Sequence, residues 1–276
     1  MADELERVRK ALRELGKTLK SLPEDPTPKA VHKLRTATRR VEAIAAMLSH
    51  GNGKEPRRLL KTIGVIRKAA GDARDMDVLA AHARRLARYS FGESLTRLLE
   101  HLKTARQQYA AGLYDAVTRN GKTARQNLKE FAKLVKPALN ADRSGTSKNG
   151  QPGLEHEGVH ATAMNLLREL AAWPAFDAGN LHAFRLKVKE LRYTLQLDAD
   201  ADPALIETLT DVQRRIGDWH DWYALNEIAR EVLAPERDAA LVQHIDKSTN
   251  RKLDRALTAA NGLRGKYLAA PLAIGV

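Results

Sequence analysis

The stretch VHKLRTATRR, Val31 to Arg40, spaces one histidine and two arginines so that a helix would gather them on one face. At about 100° per residue, with His32 at 0°, Arg35 falls at about 300° and Arg39 at about 340°. Val31, Leu34, Thr38, Val41 and Ala45 fall between about 180° and 260°, an apolar stripe beside those cations. LHAFRLKVKE, Leu181 to Glu190, repeats the arrangement. There His182, Arg185 and Lys189 share a face that Arg192 extends, and Leu181, Phe184, Val188, Leu191 and Leu195 form the stripe. The chemistry these types offer is anion binding. Arginine presents a planar fork that suits phosphate oxygens, lysine a mobile point charge, and histidine a donor. Cations one turn apart, at a spacing of about 5 Å, match an anion that repeats.

A face that borders the core stripe is aimed into a groove between helices, whereas a solvated face more often centres opposite the core. One such helix alone reads as an ordinary amphipathic helix. Its repetition, with the His-to-cation spacing kept while the intervening residues vary, favours a shared ligand.

A second motif is also duplicated. IRKAAGDARDMDVLA, Ile66 to Ala80, and VQRRIGDWHDWYALN, Val212 to Asn226, align Gly71 with Gly217, Asp72 with Asp218, Arg74 with His220 and Asp75 with Asp221. Each Gly-Asp is expected to break a helix, with glycine in a left-handed conformation and aspartate capping the next helix. This motif adds Arg67, Lys68 and Arg74 to the first half and Arg214, Arg215 and His220 to the second. Asp75 and Asp221 are expected to orient the neighbouring cations.

These motifs need elements to hold them, and nearly everything reads as helix. Ala, Leu, Arg, Lys and Glu dominate, apolar residues recur at three- and four-residue spacing, and alternating strand patterns are absent. The periodicity predicts helices over 3–20, 28–49, 55–70, 73–88, 92–118, 122–136, 157–172, 180–197, 203–216, 219–233 and 236–267, with Pro28 after Thr27 as a helix start. Leu139 to Gly158 is rich in Gly, Ser and Asn and reads as a flexible linker loop. Residues 1–138 and 159–276 are then two helical halves, each with one copy of each motif.

Lys plus Arg number 47 against 34 Asp plus Glu, a formal net charge of +13, which favours a polyanionic partner. There is no cysteine, so disulfides, thiol catalysis and thiolate metal sites are excluded. No apolar run approaches the roughly 20 residues a membrane helix needs. The expectation is a cytoplasmic protein that meets no membrane.

Together, VHKLRTATRR with AGDARDMDVL and LHAFRLKVKELRY with IGDWHDWYAL resemble the CHAD family, the conserved histidine α-helical domain, over about residues 5–268. The resemblance implies an all-α fold of two helical bundles related by a pseudo-twofold around a basic groove or cavity. It further implies binding of inorganic polyphosphate and association with polyphosphate granules. By position, His32, Arg35, Arg39 and Arg40 match the family's first basic motif, His182, Arg185, Lys187, Lys189 and Arg192 the second, and Arg74 and His220 the basic position of the later motif. Glu190 departs from the family, where a cation is frequent, and is a candidate internal salt-bridge partner. No strand-rich segment is present, so the resemblance supplies no catalytic module. The expectation is a binding protein without enzymatic activity, cofactor or metal.

Two rival readings share these residues. The WHDW stretch contains a His-Asp dipeptide of the kind found in HD-type metal phosphohydrolases, with His32, His182, His220 and Asp221 as conceivable ligands. Against it, Arg74 occupies the position matching His220, and arginine is a permanent cation. A nucleic acid is the other polyanion. Single-strand binders stack bases on aromatic residues, yet only 5% of this chain is aromatic and none interleaves with the first motif's cations.

Overall fold

A computed structural model of the chain describes residues 2–49, 54–143, 154–196 and 201–268. Among these residues the regular elements are all helical: α1 (Ala2–Lys20), α2 (Pro28–Ser49), α3 (Lys54–Arg85), α4 (Gly92–Arg143), α5 (Leu154–Ala171), α6 (Leu181–Leu195), α7 (Pro203–Val232) and α8 (Ala239–Leu263). A short 3₁₀ turn covers Leu86–Arg88, and a π-type turn, Arg264–Leu268, follows α8. The expected all-α class is what the structure shows. Among the described residues, no helix is long and apolar enough to cross a membrane.

The expected breaks at Gly71, at Gly217 and near Gly121 do not occur: α3, α7 and α4 run straight through them. The apolar period explains why. Leu59, Ile63, Ile66, Ala70 and Ala73 are fully buried without a change of phase across Gly71, and Leu209, Val212, Ile216 and Trp219 are buried the same way across Gly217. Breaking either helix would tear that stripe from the core, whereas a mid-helix glycine costs only about 1 kcal/mol relative to alanine. Neither glycine has a positive φ, which among the described glycines is found at Gly92. Asp72 and Asp218 therefore lie inside helices and do not cap. Asp218 instead pairs with Lys252 of α8. The segment read as a linker, 139–158, is helical at both described ends, and 144–153 lie outside the described residues.

The chain divides into two compact units, residues 1–84 with 99–150, and residues 85–98 with 151–276. In the first, α1, α2, α3 and the later part of α4 bury Leu15, Leu34, Ile63, Leu113 and Phe131 among others. In the second, α5 to α8 bury Leu170, Phe184, Leu191, Leu209, Ile216 and Leu263.

The helices that carry the first motif are placed by caps and by bracing arginines. At the start of α2 the Thr27 hydroxyl accepts from the Ala30 amide at 3.2 Å, with Pro28 at the first helical position. Arg106 of α4 reaches the loop before α2, donating to Asp25 at 3.0 Å and to the Pro26 carbonyl, and it also meets Asp77 of α3. In the second unit Arg264 holds the loop before α6. It donates to the Trp173 and Pro174 carbonyls at 2.7 Å each and lies over the Phe176 ring. That loop is closed by Asp177 and Asn180, the Asn180 amide donating to the Asp177 carboxylate at 2.9 Å.

The second unit also takes in residues 85–98, which end in the first turns of α4. The fully buried Asp238 carboxylate accepts from Ser94 at 2.6 Å, from Arg97, and from the Ala234 amide at 3.0 Å. Tyr89, Phe91 and His244 form a cluster of tilted rings, with Tyr89 and His244 centroids 4.4 Å apart.

Candidate functional site

Both motif helices place their stripes as their spacing requires. Val31, Leu34, Thr38, Val41 and Ala45 of α2 are fully buried, as are Leu181, Phe184, Val188 and Leu191 of α6. Arg35 and Arg185, one step round each helix, are consequently held at the edge of the core, next to α3 in the first unit and α7 in the second.

In the first unit Arg35 is half-buried, and its guanidinium lies against the backbone of α3 at Gly71. A Cβ at Gly71 would sit 2.9 Å from Arg35 Nη1. Burial holds the Arg35 pKa below its ordinary value, repulsion from Arg39, Arg67 and Arg74 adds to this, and Asp75 opposes it. Arg39, Arg67 and Arg74 thus lie within electrostatic reach of Arg35, with Asp75 the acid that offsets them there. Arg67 additionally pairs with Glu42 of α2 at 2.7 Å. His32 and Lys68 are exposed on α2 and α3.

The second unit repeats the central contact. Arg185 lies against α7 at Gly217, where a Cβ would sit 3.2 Å from Nη2 and 3.3 Å from Nε. Its Nε donates to the Gln213 carbonyl at 3.2 Å, one helical turn earlier. His182 and His220 face each other with ring centroids 4.8 Å apart. His182 is exposed, as His32 is; partial desolvation against its neighbours lowers its pKa first, and repulsion from His220 and Arg185 lowers it further. Lys189 and Arg192 flank Tyr193, with the Arg192 guanidinium 4.5 Å from the ring centroid. Arg192 Nε is buried without a hydrogen-bond partner.

Several residues of the sequence-derived set lie elsewhere in the ion-pair pattern. Arg40 turns toward α1 and pairs with Glu14 at 3.4 Å. Lys187 turns toward α5, pairing with Glu169 at 2.8 Å and with Glu190 at 3.4 Å, so Glu190 is the internal partner its departure suggested. Arg214 and Arg215 both clasp Asp211. Spacing on one helix cannot show the pairs of Arg40 and Lys187 with Glu14 and Glu169, which come from α1 and α5. Asp211, by contrast, lies three and four residues before its arginines on α7. The Gln213 carbonyl and the two glycines are site components that spacing missed. Their signal was a glycine repeated where no turn was needed.

A sequence model of the CHAD domain matches residues 6–230. This chain belongs to the CHAD family. The match takes in both His-cation motifs and both Gly-Asp motifs, and it ends within α7, before α8. CHAD domains are linked in general to polyphosphate and triphosphate binding. No curated protein and no solved structure matches this CHAD chain.

Proposed function

We propose that the protein binds inorganic polyphosphate without cleaving it, and that this binding carries it to polyphosphate granules in the cytoplasm. The observation that carries the reading is the duplicated cation face: Arg35 seated on α3 with Arg39, Arg67 and Arg74 beside it, and Arg185 seated on α7 with His182 and His220 beside it. Gathering like charges at the edge of a core raises the free energy of the empty protein. A ligand with a negative charge at every repeat returns that energy on binding. The roles follow from the side chains. Arg35 and Arg185 offer forks to phosphate oxygens, Arg39, Arg74 and Lys189 supply further charge, and the rings of His182 and His220 offer N–H donors. No bond in the ligand changes, so the face needs no nucleophile or general base.

The test is a titration with long-chain polyphosphate at several salt concentrations, with phosphate release assayed in parallel. Affinity should fall log-linearly with salt, as for other polyanions that release counterions. Sustained release of orthophosphate with Mg²⁺ or Mn²⁺ would overturn the non-enzymatic reading.

One observation favours a second reading. Tyr193 is exposed and flanked by Lys189 and Arg192, a setting in which a base could stack. Single-stranded RNA competing with polyphosphate at matched charge, and losing affinity on Tyr193→Ala, would establish it.

A further inference from the structure

We propose that Gly71 and Gly217 are positioning residues for ligand binding: each keeps one helix face bare so that the arginine of the motif helix can seat its guanidinium against backbone. This rests on the reading of the two faces as polyphosphate sites. Several other described glycines within helices stand in open space: a Cβ at Gly16, Gly64, Gly112 or Gly262 meets nothing within 4 Å. At Gly121 the nearest atom is 3.4 Å away, an ordinary contact. Only at Gly71 and Gly217, among the described helical glycines, would a Cβ meet an atom closer than that, and in both cases the atom belongs to the motif arginine. The same pair of residue types makes the same contact in each unit, on α2 and α3 in the first and on α6 and α7 in the second.

Backbone conformation gives no competing reason for glycine, since both positions are ordinary helix without a positive φ. On propensity alone each position would favour alanine. What glycine supplies is room. An arginine in open solvent loses much rotamer freedom when it grips an anion, whereas one already seated has lost it on folding. The Nε bond from Arg185 to the Gln213 carbonyl fixes that seat along α7. At Gly71 the crowding atom is the far end of the Arg35 side chain, so an added methyl displaces the guanidinium and leaves the helix in place.

The experiment compares the full-length protein with Gly71→Ala/Gly217→Ala, using polyphosphate binding, thermal melting and the NMR signals of the arginine Nε–H groups. The expected result is a melting temperature equal to or above that of the wild type, shifted Arg35 and Arg185 Nε–H resonances, and affinity lower by about tenfold. A double-mutant cycle isolates the mechanism. In an Arg35→Ala/Arg185→Ala background the two glycine substitutions should have no further effect on affinity. Unchanged affinity in Gly71→Ala/Gly217→Ala, or a loss that persists undiminished in the arginine-free background, would overturn the positioning role. A lowered melting temperature with binding that tracks the folded fraction would also overturn it. Failure of the wild type to bind polyphosphate at all would instead overturn the functional reading beneath it.

Discussion

His182 on α6 and His220 on α7 stand with their rings 4.8 Å apart, tilted by 39°, beside the charge of Arg185. In the free protein, partial desolvation and these neighbours hold His182 below its ordinary pKa of about 6.5, which favours the neutral ring near pH 7. A bound polyanion reverses the balance by favouring the protonated ring, so binding takes up a proton. Polyphosphate affinity should therefore rise as pH falls from about 7 through 6.5. Calorimetry in buffers of different ionisation enthalpy should show the uptake, and His182→Gln should flatten the profile. An affinity that falls with acidification would contradict this role.

The free protein should respond in the opposite sense. His182 is depressed, and so is His244, by burial and then by Arg251, Arg88 and Lys247. Between the depressed folded values and about 6.5 the unfolded chain binds more protons than the folded one, so stability is lost as pH falls. Melting temperature measured without ligand should decline from pH 7.5 to pH 5.5, and added polyphosphate should reduce the decline.

The buried Asp238 carboxylate joins Ser94, Arg97 and the Ala234 amide, and so attaches residues 85–98 to the second unit. The Ser94 hydrogen bond chiefly holds its pKa down. Its contribution is present above the unfolded carboxylate pKa of about 3.9 and is lost as pH falls through and below that value. Asp238→Ala should lower the melting temperature and speed hydrogen exchange in 85–98 more than in α2 or α3.

Core and charge should separate cleanly. Leu34→Ala or Phe184→Ala removes a fully buried side chain and should cost about 2–5 kcal/mol in chemical denaturation. Arg35→Gln with Arg185→Gln should instead leave the unfolding midpoint nearly unchanged and remove most polyphosphate binding. If the double arginine variant unfolds and binding follows folded fraction, the two arginines serve the fold.

Cations already neutralised should matter least. Lys187 is paired with Glu169 and Glu190, and Arg40 with Glu14. Surface pairs of this kind are worth about 0–1 kcal/mol to stability. Lys187→Gln and Arg40→Gln should each change polyphosphate affinity by less than about threefold and hardly move the melting temperature. A loss comparable to that of Arg185→Gln would return them to the site.

The stripes of α2 and α6 were readable residue by residue from sequence. Val31, Leu34, Thr38 and Val41, and Leu181, Phe184, Val188 and Leu191, recur at the helical period, and burial of apolar groups is decided by that period. The His-to-cation spacing was readable for the same reason, as was membership of an all-α family. Glycine's local preference, which predicts breaks at Gly71 and Gly217, is outweighed by an apolar period that continues through both. Local propensity is worth about 1 kcal/mol at such a position, less than a buried stripe contributes on either side. Which cations act together was beyond the sequence. Arg40 and Lys187 share their motifs with Arg35 and Arg185, yet acids on α1 and α5 neutralise the former while bare glycines on α3 and α7 seat the latter. Periodicity fixes the side of a helix a residue occupies, and only the packing of a second helix against that side decides what the residue meets.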